Sequence, residues 1–475
     1  MKRAFAAVLI LLLFFSSFAG IKAGKIMDDA DEIVYKEEVI YGDRSVLKGL
    51  NLNFNSEFGY YYYGGMFNTG YVWENVLAFD ESDYTSDAKL EYKFAREDIP
   101  ADDRINLFLD MRVDYAHYES LIKKYPDLSG ENSTDILVPA REVFDHYPME
   151  IEVKTGNTVR NTGTAVQSIA LRDYFKFKLP EGAKVRIFKG AGKNGFNAGY
   201  FEGSGNNSGY IINEIPINGT SRDVKIGDSL YFYINLISTE TGLLEYDAYE
   251  DIPGGYGIYK LDIHNITYIE PESIDTVYSF DRGQEIIGML KSGYEEIVNA
   301  LVAEEGKIYL YTIDLKAKNL LKKQEIPADS ANIQFVQDEE GYLLIGTGNW
   351  TDERLCSDGK VLLFKENERG IPAPFFTADL SKIMDDPYVM GMFIRGYDFL
   401  SYDKKYMSCL KDGRLYLIFR ELSYDAENPY TVYGQNGISI AVFDESGPLY
   451  FGTYGSSLNS PARHMYYSNP KAVFE

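Results

Sequence analysis

The sequence predicts an all-β fold built from many small antiparallel sheets. Three observations carry that prediction: a recurring turn phrase, abundant Tyr and Gly, and β-rich runs along most of the chain. The phrase reads "EEGKIYLYTI" from 304, "EEGYLLIGTG" from 339, "SDGKVLLFKE" from 357, "KDGRLYLIFR" from 411 and "ESGPLYFGTY" from 445. In each copy an acidic or small residue precedes a glycine, and a β-branched or aromatic run follows. Gly306, Gly341, Gly359, Gly413 and Gly447 are therefore expected to supply the positive φ of tight hairpin turns. The 40 tyrosines and 42 glycines among 475 residues fit short strands joined by such turns.

The runs that follow the glycines, such as Ile308 to Leu310, Val361 to Leu363 and Leu415 to Leu417, read as strands covered on both faces. Strand-like segments also precede several turns, so the unit is a hairpin. Grouped by their turns, the hairpins fall into units of roughly 35 to 55 residues with three or four strands each, the size of one propeller blade. These residues resemble the Asp-Gly-x-Leu-Tyr phrasing of β-propeller repeats in exported proteins, over about residues 226 to 455. The resemblance implies a β-propeller of three- to four-stranded blades. It carries no activity, because one fold serves many functions.

Residues 24–220 are strand-rich without the phrase, as in "KLEYKFARED", "INLFLDMRVDY", "MEIEVKTG" and "YFKFKLPEG". Two readings stay open for them: divergent blades of the same propeller, or an N-terminal β-sandwich-like region. The expected organisation is a signal peptide over 1–23, this β-rich region over 24–220, and the repeat region over 221–475. Lys2 and Arg3 followed by "AFAAVLILLLFFSSFAG" have the charge and apolar run of a secretory signal, with small residues at Ser17, Ala19 and Ala23 for cleavage. The chain is thus expected outside the cytoplasm, secreted or associated with the cell envelope. An uncleaved N-terminal anchor is the alternative.

Formal net charge is −25, which argues against nucleic acid and anionic membrane as partners, since both call for a basic surface. Two cysteines, Cys356 and Cys409, are too few to build the fold by disulfides, and they read as small buried residues. Five Asn-x-Ser/Thr sites occur, at Asn132, Asn206, Asn218, Asn265 and Asn349.

Local catalytic signatures are scarce. "GAGKNG" from 190 has the glycine spacing of a dinucleotide loop, but the residues after it lack a helical period, so it reads as a hairpin loop and no cofactor is predicted. "DLSGENSTD" from 127 alternates oxygen ligands yet fails the EF-hand pattern at Asn132 and Val138, leaving a structural calcium ion as the only metal expectation. The four histidines show no metal-ligand spacing, and no Gly-x-Ser-x-Gly elbow is present. Aromatic residues are the candidate ligand contacts: Tyr60, Tyr61, Tyr62 and Tyr63 in "FGYYYYGG", and Trp350 in the turn region "GTGNWTDERL".

These features point to a non-catalytic, extracytoplasmic binding or scaffold protein acting through propeller loops, with a protein or a cell-surface glycan as partner. One alternative is a glycan-active hydrolase whose carboxylates converge from different blades. The other is an accessory subunit of a transporter or sensor, held at the membrane by the N-terminal segment.

Overall fold

Antiparallel pairing between sequence neighbours organises the chain. The computed structural model describes residues 35–59, 70–79, 89–93, 104–109, 120–126, 134–155, 167–179, 184–189, 209–263, 274–350, 355–391, 406–424, 432–456 and 465–474, apart from short stretches inside some of these ranges. After β1 (Tyr35–Gly42) come β2 (Leu50–Gly59), β3 (Gly70–Ala78) and β4 (Lys89–Lys93), which pair in order. The next six strands interleave: β5 (Arg104–Leu109), β6 (Thr134–Pro139), β7 (Met149–Thr155), β8 (Gln167–Ala170), β9 (Lys184–Lys189) and β10 (Gly209–Asn213). They form two sheets, ordered β5-β7-β8 and β10-β9-β6.

Sequential pairing then resumes. β11 (Ile217–Ile226), β12 (Ser229–Ser238), β13 (Gly242–Leu243), β14 (Gly257–Asp262) and β15 (Ile274–Ser279) make one sheet, with β13 paired to β12 off the main path. The next holds β16 (Gln284–Lys291), β17 (Ile297–Glu304), β18 (Lys307–Asp314) and β19 (Asn319–Ile326). Another holds β20 (Ile333–Glu339), β21 (Tyr342–Trp350), β22 (Cys356–Glu366) and β23 (Pro372–Asp379). The last strands are β24 (Tyr406–Lys411), β25 (Arg414–Tyr424), β26 (Val432–Asp444), β27 (Gly447–Ser456) and β28 (Met465–Phe474).

The chain ends cross over. β1 pairs with β27 as the edge strand of the β24–β27 sheet, and β28 pairs with β2 as the edge strand of the first sheet. Small antiparallel sheets of three to five strands, most formed from consecutive strands, make this an all-β protein of the β-propeller class.

By contacts the chain divides into two compact units. One holds residues 1–97, 332–365 and 373–475; the other holds 98–331 and 366–372. In the second unit, aromatic rings crowd around Phe175: Tyr174 at 4.8 Å, Tyr259 at 5.1 Å and Phe232 at 5.7 Å between centroids. The segment 174–179 shows the burial alternation expected of a strand, with Phe175, Phe177 and Leu179 buried and Lys176 exposed. It forms no ladder, however. Single backbone bonds hold it, from Tyr147 N to Phe177 O at 2.7 Å and from Lys178 N to Ala248 O at 2.9 Å.

The turn phrase behaves as expected in four of its five copies. Gly306, Gly341, Gly413 and Gly447 all have positive φ beside a strand pairing. In two of them the preceding acid is left-handed as well, Glu305 at 51° and Asp412 at 52°, as a two-residue type I′ hairpin demands. Gly359 departs from the expectation. It lies inside β22, and the left-handed residue is Asp358 at 58°. The pairing of β21 with β22 shifts register there, between Thr347 and Asn349, so this copy marks a β-bulge rather than a turn.

"GAGKNG" lies outside the described residues; the strands before and after it, β9 and β10, pair antiparallel.

Candidate functional site

In the second unit, four strands bring polar and aromatic side chains to one face of the β16–β19 sheet. Residues directly opposite in a ladder share a face, and so do residues two apart. Gln284 on β16 pairs with Glu304 on β17, Glu304 pairs with Lys307 on β18, and Tyr311 on β18 pairs with Lys323 on β19. Tyr309 and Tyr311 therefore stand beside Glu304 and Lys323. The Tyr311 hydroxyl donates to Glu304 Oε2 at 2.9 Å, and the Gln284 amide donates to the Tyr311 hydroxyl at 3.1 Å. Lys323 pairs with the Glu304 carboxylate, and its ammonium lies 4.2 Å from the centre of the Tyr309 ring. Phe280 packs on Tyr311 at 5.9 Å, and Tyr278 on Phe280 at 4.9 Å. Tyr311 is buried, whereas Tyr309 and Tyr278 are half-buried.

This pairing fixes the charge states. Hydrogen bonds from Lys323 and then Tyr311 hold the Glu304 carboxyl below its usual range, against the opposing effect of burial. Burial pushes the Tyr311 hydroxyl up to about 12, with Glu304 adding to the rise. Burial alone would lower Lys323, but the bonds to Glu304 and Tyr311 outweigh it and carry the ammonium to about 12.

The pH dependence follows from these directions. Tyr311 and Lys323 keep their protons longer in the fold than in the unfolded chain, where they ionise near 10.0 and 10.5. Their contribution is complete below pH 10 and is lost as pH rises towards 12. Glu304 acts at the other end: its contribution is present above pH 4.5 and fades as pH falls through its lowered folded value. Melting curves between pH 9 and 12 should therefore fall less steeply for Tyr311→Phe than for the parent chain. Equal slopes would remove Tyr311 from the account.

Two further carboxylates are enclosed. In the first unit, Glu37 on β1 accepts from Tyr450 at 2.8 Å and Tyr454 at 2.9 Å, both on β27, and Arg44 lies 3.6 Å from its other oxygen. The two hydroxyls are 2.5 Å apart. Gly452 lies between these tyrosines on the same face, and a Cβ there would collide with the Tyr450 hydroxyl. Burial first, then Tyr450 and Glu37, raise the Tyr454 hydroxyl far above its ordinary value. In the second unit, Glu366 accepts from Gly293 N and from Asn299 Nδ2, both at 3.0 Å, and Thr312 donates to Asn299 Oδ1 at 3.0 Å. Glu366, Asn299 and Thr312 are all buried.

Tyr60, Tyr61, Tyr62 and Tyr63 lie outside the described residues, as do residues 1–34 with the expected signal and most of "DLSGENSTD". Asp135 at the end of that last stretch lies on β6, paired with Phe188. Trp350 is the final residue of β21 and pairs with Cys356, next to the bulge at Asp358. Cys356 and Cys409 are not joined in a disulfide, the first being buried and the second partly so. Asn349 of the Asn-x-Ser/Thr sites is exposed on β21, and Asn218 lies on β11. Among the described residues, no three His, Cys, Asp or Glu side chains gather in a metal-binding group. No helix among them is long and apolar enough to cross a membrane.

The patch on β16–β19 was not singled out in the sequence. Its local trace was Tyr309 and Tyr311 at alternate positions in "EEGKIYLYTI". Glu37 left no such trace, because its partners lie more than 400 residues away.

The sheet topology thus defines the class, an all-β protein of β-propeller type. No protein-family model matches the chain, and no curated protein does. Among solved structures, the β-propeller domain of the Trilobed protease from Pyrococcus furiosus is 9% identical, with a TM-score of 0.26 over 55% of this chain and 58% of that one. A protein from Lactobacillus plantarum is 8% identical, with a TM-score of 0.29 over 88% and 100%. The Cps50 (Swd1) β-propeller domain from Myceliophteria thermophila is 7% identical, with a TM-score of 0.23 over 67% and 84%. The fold class rests on the strand order described above.

Proposed function

We propose that this chain is an extracytoplasmic binding or scaffold protein without catalytic activity, and that its partner is a cell-surface glycan. One observation carries the non-catalytic reading: three of the enclosed carboxylates are already committed. Glu37, Glu304 and Glu366 each accept hydrogen bonds from at least two donors within their own unit. A glycosidase acid must offer its proton to a leaving group, and its partner must face the sugar with free lone pairs. Carboxylates that tie strands together in this way are poor candidates for either role. The glycan reading draws on the face of β16–β19, where the half-buried rings of Tyr309 and Tyr278 lie among an amide, an amine and a carboxylate. Sugar rings stack on such aromatics and hydrogen-bond to such neighbours.

A thermal-shift screen against soluble cell-surface glycans tests this reading. A ligand that binds only the folded state stabilises it by about 2.7 kcal/mol at a hundredfold excess over Kd. We expect one glycan class to raise the melting temperature, and Tyr309→Ala to abolish that rise. If no glycan shifts the chain, the glycan assignment fails and a protein partner takes its place.

A further inference from the structure

We propose that the glycan taken by the β16–β19 face carries free amines, and that Lys323 fills its ammonium site until the ligand displaces it. This inference rests on the glycan reading above and names the class of sugar. Three groups already surround one ammonium there. Lys323 pairs with the Glu304 carboxylate, and its Nζ lies 4.2 Å from the centre of the Tyr309 ring and 5.4 Å from that of Tyr311. The Tyr311 hydroxyl donates to the same carboxylate at 2.9 Å and so fixes its position. Burial raises the Tyr278 hydroxyl, and the charges of Asp281, Lys323 and Glu304 all act on it, so Tyr278 borders the same cluster. Ring faces and a hydrogen-bonded carboxylate are the groups that bind an alkylammonium.

Lys323 is placed to yield. Its side chain is 35% accessible and that of Glu304 23%, so the pair opens to solvent. Ion pairs near the surface contribute about 0–1 kcal/mol, so exchanging one ammonium for another costs little in the pairing itself. An amino sugar brings that ammonium on an apolar-faced ring. The ring can stack on Tyr309 while the amine takes the place of Nζ beside Glu304. Glu304 remains an acceptor throughout, so the exchange creates no catalytic acid. Charge favours the same class. A net charge of −25 draws a cationic glycan and repels one built from acidic sugars. Being tethered, Lys323 competes at an effective concentration of about millimolar or more, which lowers the apparent affinity of any free amine.

The test is calorimetric titration of the purified chain, at mildly acidic pH and physiological salt, with a β-1,4-linked glucosamine tetramer and with its fully N-acetylated counterpart. The glucosamine tetramer is expected to bind about tenfold more tightly, because acetylation removes the ammonium and leaves the rings. Lys323→Ala removes the tethered competitor and should tighten the glucosamine tetramer about tenfold further, with the acetylated one unchanged. Glu304→Gln should erase the preference. Melting curves without ligand report whether each variant folds, and Lys323→Met, which keeps the stem, replaces the alanine variant if that one melts early. Equal affinity for the two tetramers overturns the proposal and leaves the glycan reading in place. So does a preference that Lys323→Ala and Lys323→Met leave unchanged, since net negative charge alone would then account for it. Binding of some other glycan but neither tetramer has the same meaning. If no glycan of any class binds, the glycan reading itself fails, and this inference falls with it.

Discussion

Replacing Glu37 by Ala is expected to destabilise the first unit by about 3 kcal/mol, read as a lower urea midpoint with unchanged slope. The carboxylate accepts from two buried tyrosine hydroxyls and faces Arg44, so its removal strips the shared acceptor from the Tyr450–Tyr454 pair. A buried donor that loses its partner bears its full desolvation cost, which exceeds the net worth of the bond. Glu37→Gln keeps one carbonyl oxygen and should lose about 1 kcal/mol. Because β1 pairs with β27, the loss should appear first as faster amide exchange in β1. A Glu37→Ala chain as stable as the parent would show that the cluster does not hold the N-terminal strand.

Phe175→Ala is expected to cost the second unit about 4 kcal/mol, measured the same way. Phe175 is 1% exposed and touches the rings of Tyr174, Phe177, Phe232 and Tyr259. It sits on a segment held by single backbone bonds rather than by a ladder, so its ring is what seats that segment on β12 and β14. Phe175→Leu refills most of the volume and should cost about 1.5 kcal/mol. If the two variants were equally stable, the cluster would be loosely packed and the segment would be held by its backbone instead.

Much of this fold was legible in short patterns. The two-residue turns at Glu305–Gly306 and Asp412–Gly413 announce themselves because only a few residue pairs tolerate two left-handed conformations in succession. The same signature misled at Asp358–Gly359. A left-handed acid before a glycine also suits a bulge, and whether the chain reverses depends on the partner strand, which local sequence does not specify. The interleaving of β5 to β10 was hidden for a related reason. Alternation marks "MEIEVKTG" as a strand but says nothing about its partner, β5 on the far side of β6.

The candidate sites were harder still to read. Tyr309 and Lys323 meet because β18 and β19 pair in one register, and Glu37 meets Tyr454 because the two ends of the chain pair. Such constellations exist only once strands are aligned, and one sequence gives no spacing that reveals them. The tyrosine run at 60 to 63 and Trp350 stood out by composition, a weaker signal than convergence of side chains on one face.

The central claim, binding without catalysis, is tested most directly by a product assay. The chain would be incubated with each soluble glycan that raises its melting temperature, and newly released reducing ends would be followed for hours. The account predicts no release above the protein-free control, with the glycan recovered intact. Sustained release that scales with chain concentration would contradict it, and would require a carboxylate free to act on the bound sugar.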